Sequence, residues 1–129
     1  MAIAKVMMID DEPDIRQVGQ MSLKAVGKWQ VVLAKSGSEG VELAAKELPD
    51  VILLDVMMPG MDGPTTLAKL REAEASARIP VIFMTAKVQK HEVERYVALG
   101  AAGVISKPFD PMTLPREVRR IIEALPPAP

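Results

Sequence analysis

The chain has 129 residues, of which 49% are hydrophobic, with 16 Lys and Arg against 17 Asp and Glu and no cysteine. That length suits one ordinary domain with its own core, and the near-neutral charge excludes the strong positive field of a general nucleic-acid binder. The lack of cysteine excludes disulfides, thiolate metal sites and thiol redox chemistry, and suits a reducing cytoplasm; no apolar run is long enough to cross a bilayer, and the N-terminus lacks a signal-peptide layout.

In chain order, apolar runs of strand length stand at Ala4 to Ile9, Trp29 to Ala34, Val51 to Leu54, Pro80 to Met84 and Gly103 to Ile105. Stretches with helical spacing follow each of them. The spacing predicts apolar faces of Ile15, Val18, Ser22 and Val26, then Val41, Leu43, Ala44 and Leu48, then Leu67, Leu70 and Ala73, then Val93, Tyr96, Val97 and Leu99. Val51-Ile52-Leu53-Leu54 and Val81-Ile82-Phe83-Met84 are apolar on both faces, as parallel strands covered by helices on each side must be. The pattern is βα repeated five times, an α/β chain with a five-stranded parallel sheet.

Boundary residues agree with that order. Pro13 can open the first helix, Ser36 with Glu39 forms a capping box for the second, and Asp62-Gly63-Pro64 is a turn and cap before the third. Gly100 is placed to stop the fourth helix in a left-handed conformation. Pro115 would break a helix begun at Pro111, so an irregular turn is expected there, followed by a regular helix from about Pro115 to Leu125. The domain is expected over residues 3–125, with Pro126-Pro127-Ala128-Pro129 as a proline-rich tail. The nine methionines are expected to fill core gaps, His91 to be solvated, and Trp29 to lie on the second strand, remote from Asp55.

In an open parallel sheet, ligands bind beyond the carboxyl ends of the strands. Asp10 and Asp11 follow the first strand, Asp55 ends the third, Thr85 ends the fourth and Lys107 lies just past the fifth. Taken singly, Asp10 and Asp11 could be caps, Thr85 a strand residue and Lys107 a surface lysine. Asp55 resists such a reading, because a carboxylate ending an apolar strand costs stability unless something binds it. Two carboxylates about 4 Å apart repel by about 4 kcal/mol at an effective dielectric near 20, so three on one rim need positive charge. Lys107 and a divalent cation would supply it. Oxygen-only donors with no nearby His or Cys suit Mg²⁺, and a carboxylate beside a metal, a lysine and a hydroxyl makes a complete phosphoryl-accepting site.

Four segments carry a family resemblance over nearly the whole chain: Asp10-Asp11-Glu12, Leu54-Asp55-Val56-Met57-Met58-Pro59-Gly60-Met61-Asp62-Gly63, Met84-Thr85-Ala86 and Lys107-Pro108-Phe109. In order and spacing they resemble the receiver domains of two-component response regulators. The resemblance implies a doubly wound (βα)5 fold of the flavodoxin-like, CheY-like type with strand order 2-1-3-4-5. It implies Asp55 as phosphoacceptor, Mg²⁺ held by Asp11, Asp55 and the Met57 carbonyl with Asp10 acting through water, and a cis Lys107–Pro108 bond. It also implies a phosphohistidine donor, either a sensor histidine kinase or a histidine phosphotransfer protein. A downstream protein target would bind through the fourth helix, fifth strand and fifth helix, and neither nucleic acid nor membrane is expected as a partner.

The sequence departs from the family at one switch position. Three residues before the lysine, where many receivers carry Tyr or Phe, stands Val104. Met57 and Lys87 flank the site at positions expected to govern water access to the phosphoryl group. Three other readings use the same residues: a receiver cut from a longer regulator, a pseudo-receiver that binds a partner without being phosphorylated, and a metal-dependent phosphatase. The last would need an acid/base Asp two residues after Asp55, where Met57 stands.

Overall fold

The computed structural model describes residues 2–126, so the tail expected from Pro126 lies outside it except for Pro126 itself. Five strands, β1 (Lys5–Ile9), β2 (Gln30–Ala34), β3 (Val51–Asp55), β4 (Val81–Thr85) and β5 (Gly103–Ser106), alternate with five helices. These are α1 (Pro13–Met21), α2 (Gly37–Glu47), α3 (Gly63–Glu72), α4 (Lys90–Ala98) and α5 (Leu114–Glu123), and a π-helical turn over Ser22–Val26 extends α1. All strand pairs are parallel, in the order β2-β1-β3-β4-β5. The chain therefore runs outward from β1 in one direction and, after reversing, from β3 in the other.

Alternation along each strand divides the core in two, because successive side chains point to opposite faces. Val6, Met8, Val51, Leu53, Ile82 and Met84 pack under the π-turn and α5 residues Leu23, Leu114, Val118 and Ile122. Met7, Ile9, Ile52, Leu54 and Phe83 face Ala44, Leu67, Leu70 and Tyr96 from α2, α3 and α4. Val51 to Leu54 and Val81 to Ile82 have no exposed surface, which is why these runs carry no polar alternation.

Several helix boundaries follow from local chemistry. Pro13 occupies the first turn of α1, and Asp62 caps α3 by accepting from the Thr65 backbone N–H at 2.9 Å. Ser36 caps α2, accepting from Glu39 N at 3.1 Å, but the returning Glu39 carboxylate accepts from Lys35 N rather than from the cap residue itself. Gly100, at φ 110°, follows α4 in the left-handed region, and α5 begins at Leu114 after an irregular turn, with Pro115 in its first turn. The Lys107–Pro108 bond is cis.

Three predicted helix faces need correction. On α1 and its π-turn, Ser22 is buried as expected, but Val18 and Val26 are partly exposed, whereas Gly19 and Leu23 are buried. The helix meets the sheet through Gly19, which leaves room for the end of the Met8 side chain, and Leu23 in the π-turn is buried on the same layer. Leu48 ends α2 as a left-handed cap at φ 48° and is exposed, and on α4 only Tyr96 is fully buried while Val97 and Leu99 face outward. Trp29 sits one residue before β2, buried under Arg119, whose guanidinium lies 4.6 Å from the indole centroid. Met7, Met8, Met58 and Met84 fill the core as expected, but Met21, Met57 and Met112 are exposed.

Candidate functional site

The reversal of strand order between β1 and β3 creates the crevice where such sheets bind ligands. Ile9 is level with Leu54 across that pair, so Asp10 and Asp55 emerge side by side from adjacent strands. Gly63 holds the third wall close. A Cβ there would stand 2.7 Å from the Asp55 carbonyl oxygen and 2.8 Å from Val56 Cα, so only glycine lets the start of α3 back onto the end of β3. On the other side, Thr85 is level with Ser106, and Lys107 N donates to the Thr85 carbonyl at 2.9 Å, which carries the lysine to the same rim.

Of the five residues named from the sequence, Asp10, Asp11, Asp55 and Lys107 converge, and Thr85 stands at the end of the strand next to Asp55. Lys107 Nζ lies 3.0 Å from Asp10 Oδ2 and 3.3 Å from Asp55 Oδ1. It also lies 3.5 Å from Glu12 Oε1, a contact that sequence reasoning missed although Glu12 stands in the quoted acidic triplet. Asp10 Oδ1 accepts from Glu12 N at 2.9 Å, and Arg16 Nη1 donates to the Asp10 carbonyl at 2.8 Å, so α1 anchors the acidic loop. Both Asp10 oxygens are thus engaged. By contrast, Asp11 Oδ1 and Asp55 Oδ2 are buried without a hydrogen-bond partner among the described residues. Thr85, also buried, accepts from Lys87 N at 3.1 Å through Oγ1, which leaves its own proton free to donate.

Electrostatics mark Asp55 as the stressed member. Burial, reinforced by the Asp10 charge, raises its pKa from 3.8 to about 6, while Lys107 pulls the other way. Burial also works against a charged Lys107, but hydrogen bonds and charge from Asp10 and Asp55 outweigh it and raise its pKa. Oxygen donors from Asp10, Asp11, Glu12 and Asp55 lie within 4.8 Å of one another, a group able to hold a metal ion. The two orphaned carboxylate oxygens fit a hard cation, since buried unpartnered acceptors are costly unless something positive meets them.

Met57 and Lys87 both line a cavity of about 190 Å³ beside Thr85, with Met57 strongly exposed. Val104 is half-buried against the α2–α4 core, and His91 is exposed beside Glu92.

A doubly wound sheet with acids, a hydroxyl and a lysine on its carboxyl rim defines a class of proteins, and the chain's relatives say which. The sequence profile of the response regulator receiver domain matches residues 6–119. The chain belongs to this family, whose function is to accept a phosphoryl group on an aspartate in two-component signalling. It is 34% identical over 117 residues to the response regulator Rre1 of Synechocystis sp., covering 91% of this chain and 51% of that protein. It is 35% identical over 118 residues to the DNA-binding dual master transcriptional regulator RpaA of Synechocystis sp., covering 92% and 48%. The chain therefore spans about half the length of these relatives. Among solved structures, the chemotaxis response regulator CheY4 of Vibrio cholerae superposes with a TM-score of 0.85 at 32% identity, over 93% of this chain and 99% of that one. No described helix is long and apolar enough to cross a membrane.

Proposed function

We propose that residues 3–125 form the receiver unit and that Asp55 is its phosphoacceptor, taking the phosphoryl group from a phosphohistidine on a sensor kinase or phosphotransfer protein in the cytoplasm. The observation that carries this reading is the state of the Asp55 carboxylate. One oxygen is 3.3 Å from Lys107 Nζ and the other is buried with no hydrogen-bond partner among the described residues, so the group is both held and left open for chemistry.

In the proposed step a carboxylate oxygen of Asp55 attacks phosphorus, a P–O bond forms, and the P–N bond to the donor imidazole breaks with its electron pair leaving on nitrogen. The Lys107 ammonium draws charge from the phosphoryl oxygens, and the Thr85 hydroxyl donates to one of them. Mg²⁺ bound by Asp11 Oδ1, Asp55 Oδ2 and the Met57 carbonyl, with Asp10 through water, would add a second positive charge against those oxygens. Water attack on phosphorus later releases phosphate and restores the carboxylate, so the domain switches itself off. The α4–β5–α5 face is the proposed contact for a protein target. Binding to nucleic acid, which the name of RpaA records for that protein, is not part of this reading.

Incubation with acetyl phosphate, with and without Mg²⁺, followed by intact mass measurement, tests the proposal. One Mg²⁺-dependent phosphoryl adduct is expected, and no adduct with either acetyl phosphate or a phosphohistidine donor would leave a pseudo-receiver as the better account. Metal binding has its own readout. At about 100 times its dissociation constant, Mg²⁺ should stabilise the fold by about 2.7 kcal/mol, a rise in Tm of roughly 10 °C. Asp11→Asn should lose most of that rise, and an undiminished rise would remove Asp11 from the ligand set.

Met57 and Lys87 are assigned to the lifetime of the phosphorylated form, because both border the cavity through which water can approach from the Thr85 side. Met57→Asn exchanges an apolar thioether for a side chain that can hydrogen-bond that water, and its adduct should decay at a rate different from wild type by about threefold or more. Equal decay rates in quenched time courses would count against the assignment.

A further inference from the structure

Tyr96 is the single tyrosine of the chain, and helical spacing marks it only as one member of an apolar face. In the structure it is buried on α4, with its ring edge-on to Phe83 at 5.1 Å between centroids. Phe83 and Thr85 are two residues apart on β4 and so share one face of the sheet. Tyr96 and Thr85 also line one cavity of about 190 Å³, together with Val56, Met57 and Lys87. Val104, paired with Phe83 across β4 and β5, is small enough to leave that space to an aromatic ring from α4.

The cleft also carries the exposed side chains of Met57 and Lys87 and so opens to solvent, which gives a side chain at its wall room to rearrange. Resting on the phosphoacceptor reading above, we infer that Tyr96 is a positioning residue acting through Thr85: when the Thr85 hydroxyl turns toward the phosphoryl group, the Tyr96 ring moves into the cavity and takes α4 with it. The aromatic element of the switch is carried by α4 instead of β5. In the resting state the same ring limits how far Thr85 can swing away from Asp55, which ties Tyr96 to the persistence of the adduct.

With one tyrosine, 3-fluorotyrosine labelling yields one ¹⁹F resonance. Phosphorylation with excess acetyl phosphate and Mg²⁺ should shift or split it in proportion to the adduct fraction measured by intact mass on the same sample. In Thr85→Ala the adduct should still be detectable and the shift lost. Tyr96→Ala should change the adduct decay rate by about threefold or more, with Tyr96→Phe restoring wild-type decay. An adduct with an unmoved resonance, the same shift in Thr85→Ala, or equal decay in the Ala and Phe variants would overturn the inference. If Tyr96→Ala fails to fold, the ¹⁹F comparison decides. Absence of any adduct in the wild type is read by mass alone and overturns the phosphoacceptor reading, and this inference with it.

Discussion

Asp55→Asn is expected to abolish the phosphoryl adduct and, in metal-free protein at neutral pH, to make the fold more stable. The physical reason is the raised pKa of Asp55, which burial and the Asp10 charge move from 3.8 to about 6. The unfolded chain releases this proton near the ordinary value, whereas the folded chain keeps it until about pH 6. The group therefore favours the folded state below pH 3.8, and that contribution is lost as pH rises through 6. Above pH 6 the ionised side chain destabilises the fold by about 1 to 3 kcal/mol, the upper figure being the full free-energy equivalent of the raised pKa and the lower one allowing for solvent screening. An uncharged amide in its place removes that penalty and can still accept from Lys107. Urea unfolding with EDTA should show the variant ahead at pH 7.5 and level with wild type near pH 4. Added Mg²⁺ should return the advantage to wild type. A variant less stable than wild type at pH 7.5 without metal would mean that the Lys107 contact outweighs burial.

Replacing Lys107 should have the opposite effect on stability and should slow the chemistry without abolishing it. Its ammonium is the shared partner of Asp10 at 3.0 Å, Asp55 at 3.3 Å and Glu12 at 3.5 Å, and two of those carboxylates are buried. Lys107→Ala leaves Asp10 and Asp55 facing each other with no cation between them, and breaking a buried pair in this way costs about 3 to 5 kcal/mol. The loss should be largest in EDTA at neutral pH, should shrink with Mg²⁺, and should shrink again as pH falls and Asp55 takes up a proton. The rate of phosphoryl uptake from acetyl phosphate should drop by about 100-fold or more, the usual effect of deleting one preorganised donor to developing charge. Lys107→Arg should not restore it, because a planar guanidinium cannot place one point charge among three carboxylates as a terminal ammonium does. An unchanged uptake rate in Lys107→Ala would remove the lysine from the chemistry.

The elements were readable because the two periodicities differ. Val51 to Leu54 and Val81 to Met84 are apolar without interruption over strand length, and no surface helix or exposed loop tolerates that. Caps and breakers were equally legible: Pro13, Ser36, Asp62, Gly100 and Pro115 act through their own backbone or nearest neighbours, so their roles do not depend on the rest of the fold. The exposed faces were not. Val18, Leu48, Val97 and Leu99 are apolar at helical spacing yet lie outward, because the part of a helix that meets the sheet depends on the layer beneath it. At Gly19 the deciding neighbour is Met8, eleven residues away in sequence, and no periodicity contains that contact.

For the site, the sequence by itself determined the membership: acids after β1, an acid at the end of β3, a hydroxyl at the end of β4 and a lysine after β5. Strand ends in a parallel sheet share one rim, whatever the details of packing. Only the tertiary structure decided how those groups differ. It gave Asp10 two engaged oxygens and left one oxygen of Asp11 and one of Asp55 without partners among the described residues. It brought Glu12 onto Lys107 and set Tyr96 and Thr85 on one cavity. These distinctions depend on distances of an ångström or less and on burial set by residues far apart in the chain, so the order of the amino acids names the participants and the packing assigns what each of them does.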